Sequence, residues 1–266
     1  MKIKDQPEQE ITAVTPLFSL VSAHLDQMNN AKQQVNLLKT DWPGFDAQFG
    51  GLGCGEFVVV GGRPGMGKTQ LLVQLSLEQS KTNLVLFFTF DLSAYHLSQR
   101  FMSAISNIPV NQLIFNQLSE EQRVNINQKA PLLNEHQVLL NERAHSSIED
   151  FKAICRQFVE TDHIKLIVID YLQLLSEPTT RNNRDSELSM ITRELKYLAK
   201  DLQVCIVASS QLSRSLEVRG GDRKPILSDL RESGAIEQNA DKVLFIYRPE
   251  YYGFLQDEYG NSTQGL

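Results

Sequence analysis

The sequence predicts an α/β fold: a mostly parallel central sheet covered by helices on both faces. Three observations predict it. Six apolar, β-branched runs recur without the in–out alternation of a half-exposed sheet. Helical patterns lie between several of them. A glycine-rich turn joins the first run directly to a helix-forming stretch.

The runs are "EFVVVGG", "NLVLFFTFD", "QVLLNE", "IKLIVIDY", "VCIVASSQ" and "KVLFIYR". Between them, "TQLLVQLSLEQS", "IEDFKAICRQFVE" and "SMITRELKYLAKDLQ" have helical periodicity. Ahead of the core, residues 1–15 read as a polar start. In the stretch that follows, Leu17, Val21, Leu25 and Met28 recur at the spacing of an amphipathic helix. "TDWPGFDAQFGGLGCGE" then reads as a boundary. The expected organisation is an N-terminal helical arm over 1–40 and a core domain over 41–266.

Composition sets bounds. At 266 residues, 41% hydrophobic and 22% charged, the chain is long enough for a buried core. No apolar run reaches the ~18 residues a membrane span needs, and "MKIKDQPEQE" lacks a signal-peptide core. A cytoplasmic protein with no membrane partner is expected. Cys54, Cys155 and Cys205 are odd in number and far apart, which fits neither a disulfide framework nor a metal knuckle. Buried, small hydrophobic side chains are the expectation for two of them. A net charge of −6 excludes a broadly basic nucleic-acid coat but not a local basic track.

Gly62-Arg63-Pro64-Gly65-Met66-Gly67-Lys68-Thr69 fits the G-x-x-x-x-G-K-[ST] phosphate loop. Glycines let the backbone wrap a phosphate with its N–H groups turned inward, and the helix that follows adds its positive end. Lys68 reaches the β- and γ-phosphates, and the Thr69 hydroxyl ligates Mg²⁺. With Gln70 at the head of the helix, residues 62–70 form the expected nucleotide-binding stretch. "KLIVIDYLQLL" ends its strand on Asp170, at the sheet edge where such folds bind ligands. A Mg²⁺-shell carboxylate is expected there; a helix cap or turn is the competing reading. "NLVLFFTFDLS" ends on Asp91, read as the group that orients or deprotonates the attacking water, against a simple turn into the next helix. "VCIVASSQ" ends on Gln211, suited to hydrogen-bonding a γ-phosphate or water.

A basic track lies further on. Residues 211–231 carry Arg214, Arg219, Arg223, Lys224 and Arg231 against Glu217, Asp222 and Asp229, a balance of +2 in an acidic chain. No aromatic lies between them, so the pattern suits phosphate contact without base stacking.

"GGRPGMGKT", "IVIDYLQLL", "ASSQLSRSLEVR" and "LSDLRESGAIEQNADKVLFIYR" together resemble the C-terminal, RecA-like motor domain of DnaB-type replicative helicases, over roughly residues 45–255. The resemblance implies a hexameric ring that hydrolyses ATP between subunits and moves 5′→3′ along single-stranded DNA. It gives Lys68, Thr69 and Asp170 their phosphate and Mg²⁺ roles and makes Gln211 the γ-phosphate sensor. It also places Arg231, Glu232 and Gly234 in the loop that meets the DNA backbone. A primase or a helicase loader is the implied protein partner.

Three departures from that family pattern stand out. Asp91 occupies the position of a usual Glu, so the carboxylate retreats by about an ångström, a displacement able to cost ~100-fold in rate. The residues ahead of the core are expected to form only the arm, whose helix resembles the family's linker helix, and not the family's helical collar domain. No match to the Lys-x-Arg element that serves as arginine finger in the family is found near Leu266, which reads either as a trimmed chain or as dependence on another partner. Slow hydrolysis is expected. The competing function is a RecA-like ATP-binding module that regulates a partner without unwinding.

Overall fold

The computed structural model describes residues 17–19, 21–22, 25, 37–142, 146–177, 184–230, 233–256 and 260–263. The chain divides into two units, Met1–Asn36 and Leu37–Leu266. In the first, residues 17–19, 21–22 and 25 are helical, within the stretch whose apolar spacing predicts a helix.

The second unit runs β1 (Leu37–Leu38), α1 (Pro43–Phe49), β2 (Leu52–Gly53), β3 (Phe57–Gly62), α2 (Lys68–Gln79), β4 (Val85–Thr89), α3 (Ala94–Ser106), α4 (Val110–Ile114) and α5 (Glu120–Lys129). It continues through β5 (Val138–Asn141), β6 (Ser146–Ser147), α6 (Ile148–Asp162), β7 (Leu166–Asp170), β8 (Leu175–Ser176), α7 (Arg184–Leu202), β9 (Cys205–Gln211), α8 (Ser215–Val218), α9 (Ser233–Asn239) and β10 (Lys242–Phe245).

The six apolar runs of the sequence are the six strands of one sheet, in the order β10-β3-β9-β7-β4-β5. Every neighbouring pair in it is parallel. Two short pairs, β1 with β2 and β6 with β8, lie outside it.

Period-two geometry splits each strand between two cores. Val59 of β3, Leu86 and Phe88 of β4, Ile167 and Ile169 of β7 and Ile206 of β9 enter one cluster. There they meet Ile148, Phe151 and Cys155 of α6 and Leu188, Ile191 and Leu195 of α7. The alternate residues Val58, Val60, Val85, Phe87, Leu166, Val168 and Val207 enter the other, with Leu72, Val73 and Leu75 of α2 and Leu97 and Phe101 of α3. Helices therefore cover both faces, which is why the strands are apolar on both sides.

Local signals fix the helix ends. Ser93 and Ser147 cap α3 and α6, their hydroxyls accepting from the N–H groups of His96 and Asp150 at 3.2 and 3.1 Å. Cys155 and Cys205 are fully buried, and burial pushes both thiols up, as expected of cysteines acting as small hydrophobes. Because all six strands run the same way, their C-terminal ends share one rim. β3, β4, β7 and β9 deliver to that rim the turn after Gly62, Asp91, Asp170 and Gln211.

Candidate nucleotide-binding site

The phosphate loop begins where β3 ends. Gly65 (φ 79°) and Gly67 (φ 99°) take left-handed backbone, which a side chain would strain. Gly67 is also the residue on which α2 starts, which sets the positive end of that helix directly behind the loop. At Gly62 the constraint is space: a Cβ there would sit 3.1 Å from Lys68 Cγ.

Lys68 folds back over the loop. Its Nζ donates to the carbonyl oxygens of Gly62 at 2.8 Å and Arg63 at 3.2 Å. Burial lowers its pKa below the usual lysine value; the charges of Asp170 and Asp91 oppose the shift and Arg63 adds to it. Asp170 and Asp91 thus both lie within electrostatic reach of the Lys68 ammonium.

Asp170 closes β7 and is 4% exposed. The Thr69 hydroxyl donates to its Oδ2 at 2.6 Å, and Ser209 Oγ donates to its Oδ1. Its backbone carbonyl accepts from Phe90 N–H at 2.9 Å, fixing the edge of β4 beside it. A buried carboxylate held by two hydroxyls stays correctly oriented. A hydroxyl and a carboxylate in contact also form the sparse oxygen set that Mg²⁺ takes from a protein when phosphates complete its shell. The expected metal pair, Thr69 and Asp170, therefore fits the ion by its donor chemistry.

Asp91 lies one residue past Phe90, at the end of β4, and is exposed. Gln211 stands opposite Gly62 in the β3–β9 register, directly beside the phosphate loop. Its backbone N–H faces Gln173 Oε1 at 3.5 Å, while Gln173 Nε2 donates to Ser210 Oγ at 2.8 Å. Pro64 is exposed, Met66 is buried at 3% exposure, and Gln70 is half-buried on α2.

Arg63 differs from its loop neighbours. Its side chain points into the protein: Nε and Nη2 donate to Glu217 Oε1 at 2.9 and 2.6 Å, and Nη1 donates to the Leu212 carbonyl at 2.7 Å. Its carbonyl accepts from Met66 N–H at 3.2 Å as well as from Lys68. Arg63, Pro64, Gln211, Leu212, Ser213 and Arg214 line a cleft of about 420 Å³.

The basic track is folded. Arg219 Nη1 donates to both oxygens of Asp229 at 2.9 Å, and its Nη2 donates to the Lys224 carbonyl. Lys224 pairs with Asp222 at 3.3 Å. Arg223 stacks over the Tyr252 ring, 5.5 Å from its centroid. Arg214 remains exposed. Gly234 lies in the first turn of α9, while Arg231 and Glu232 fall outside the described residues.

The sequence reading missed two features of this site. One is Ser209, two residues before Gln211 in β9; period-two spacing puts both on one face, which was the available signal. The other is the Arg63–Glu217 pair, separated by 154 residues and invisible to any local pattern. No helix among the described residues is long and apolar enough to cross a membrane.

Residues 38–264 match the family model of the DnaB-like helicase C terminal domain. The chain is 35% identical over 246 residues to the replicative DNA helicase DnaB of Rickettsia typhi, covering 88% of this chain and 49% of that protein. To the replicative DNA helicase DnaC of Bacillus subtilis it is 33% identical over 232 residues, covering 86% and 51%. The chain thus spans about half the length of the curated relatives it matches. Among solved structures, an ATPase domain superposes with a TM-score of 0.83 at 26% identity, covering 90% of this chain and 86% of that one. A DnaB-like replicative helicase, studied for its interactions with primase, superposes with a TM-score of 0.79 at 26% identity, covering 90% and 58%.

Proposed function

The chain belongs to the DnaB-like helicase C-terminal domain family, and from that premise we propose that it is an ATP-hydrolysing motor that moves 5′→3′ along single-stranded DNA and separates the duplex during replication. The observation that carries this reading is the contact of Thr69 with buried Asp170 beneath a glycine loop that presents Lys68.

Each part of the mechanism falls to a named group. Backbone N–H groups within residues 62–70, Pro64 and the already bonded Met66 excepted, and the Lys68 ammonium grip the β- and γ-phosphates. Thr69 and Asp170 hold Mg²⁺, which when bound neutralises phosphate charge. Asp91 orients the attacking water and accepts its proton. Gln211, beside the loop, hydrogen-bonds the γ-phosphate and registers its loss. Arg63 contributes its backbone to the loop, its guanidinium being engaged by Glu217 and Leu212.

Single-stranded DNA lies along residues 211–234. Exposed Arg214 offers a cation to its phosphates, and Arg223, Arg231, Glu232 and Gly234 complete the track. A homohexamer, in which a neighbouring subunit supplies the arginine finger, is the assembly we propose, with a primase or a loader as protein partner and the cytoplasm as compartment.

One observation favours a second reading. Asp91 is a shorter acid than the usual Glu, which suits a nucleotide-binding regulator with little turnover. Phosphate release measured with Mg·ATP, with and without oligo-dT, separates the two. The motor reading expects turnover that rises with oligo-dT and disappears in Lys68→Ala. Tight ATP binding with no turnover under any DNA condition selects the regulator.

A further inference from the structure

Arg63 joins the phosphate loop to the polypeptide leaving β9. Its carbonyl receives the Lys68 ammonium; its guanidinium receives Glu217 and the Leu212 carbonyl. A guanidinium fork satisfied by one carboxylate and one carbonyl is a rigid connection, more so because the Arg63 side chain is only 9% exposed. Glu217 sits at 42% exposure, so the pair has one buried and one accessible end.

Beyond Glu217 the segment is closed on itself. Leu212 and Leu230 form an antiparallel bridge. Ser213 N–H donates to the Asp229 carbonyl at 2.7 Å, Ile226 N–H to Asp229 Oδ2 at 2.8 Å, and Arg219 grips both oxygens of the same carboxylate. A displacement of Glu217 is therefore carried across residues 212–230 as a unit rather than absorbed by slack chain. This is the segment that bears exposed Arg214.

We propose that Arg63 and Glu217 form a coupling pair, by which occupation of the phosphate loop repositions residues 212–230 and polyanion contact on that segment is felt at Lys68. The inference rests on the nucleotide-binding reading above. Arg63 is the point of transmission for a stated reason. A bound triphosphate competes with the Gly62 and Arg63 carbonyls for the ammonium protons of Lys68. When it wins, the Arg63 carbonyl keeps only Met66 N–H, and the Arg63 backbone relaxes with its guanidinium still held by Glu217. Arg63 and Glu217 are positioning residues here, acting through Lys68 and the 212–230 backbone.

Two measurements on the intact chain test it: binding of a fluorescent ATP analogue, and amide hydrogen exchange of residues 212–230 with and without saturating Mg·AMP-PNP. In the unaltered chain the analogue binds and exchange in the segment changes by at least about 5-fold, the lower end of ordinary coupling between sites. In Glu217→Gln and Glu217→Ala the analogue still binds within about 3-fold, because Glu217 supplies no atom to the loop, while the exchange response falls below about 2-fold, because the Arg63 bond to the Leu212 carbonyl is then the main link left between loop and segment. Glu217→Asp keeps the charge and restores part of the response. A response of equal size in the unaltered and Glu217→Gln chains overturns the coupling pair and leaves nucleotide binding standing. Absence of analogue binding in the unaltered chain overturns both.

Discussion

At Lys68 the same burial that shapes the site also sets a pH limit on it. The ammonium is the form that binds phosphate, and burial lowers the pH at which it is lost. ATP affinity should hold through neutral pH and fall as pH rises through the folded-state pKa, beginning below the ordinary lysine value of 10.5. Lys68→Arg, with a guanidinium that stays charged, should bind ATP more weakly but without that decline. Calorimetric titrations from neutral to alkaline pH check both; an unchanged decline in Lys68→Arg would refute the assignment. For stability the sign is opposite. The unfolded chain holds this proton more firmly, so the group costs stability below its folded pKa and the cost is relieved as pH rises. Most of the candidate groups at this scale are legible in sequence, because Lys68, Thr69 and the glycines sit within one eight-residue stretch. Arg63 was legible as a loop residue but not as a partner of Glu217, which in sequence reads only as an acid reducing a local charge count.

Among the elements, β4 and α6 show where stability is concentrated. Phe88 and Phe151 pack with ring centroids 4.5 Å apart inside a fully buried cluster. Phe151→Ala should cost about 3–5 kcal/mol in chemical denaturation. Val124→Ala, on α5 with 47% of Val124 exposed, should stay within about 0.5 kcal/mol. The contrast explains what the sequence revealed of the elements. Strands that are apolar on both faces, and α6 and α7 with full apolar stripes, announce themselves. Helix α5 buries no residue and is held at its start by a capping box between Ser119 and Gln122. A periodicity search has nothing to find there, and the sequence reading picked out no helix over that stretch.

For the whole molecule, charge is the property that bears on the proposed contact with DNA. The chain carries a net −6, so attraction to a polyanion must come from a confined track. Within the described part of that track, Arg219 and Lys224 are paired with acids and Arg223 is stacked on Tyr252, which leaves Arg214 as its open cation. Arg214→Ala should therefore weaken oligo-dT binding to a similar degree for every base composition and reduce the salt slope of log K by about 1. Fluorescence anisotropy across a salt series reads both. An unchanged slope would move the DNA to another face. Here sequence and structure divide the work: the spacing of basic residues marks out a candidate track, and only the folded loop tells which of them are engaged elsewhere.

The order of strands in the sheet has a consequence for synthesis. The phosphate-loop strand β3 is flanked by β9 and β10, and Asp241 receives the N–H of Phe57 from 184 residues away. A ribosome makes the glycine turn before either flanking strand, and these exist only once the chain has grown past Gln211 and then Phe245. Until then β3 lacks one or both of its neighbours in the sheet, so the proposed nucleotide site on it is incomplete before Phe245 has been added.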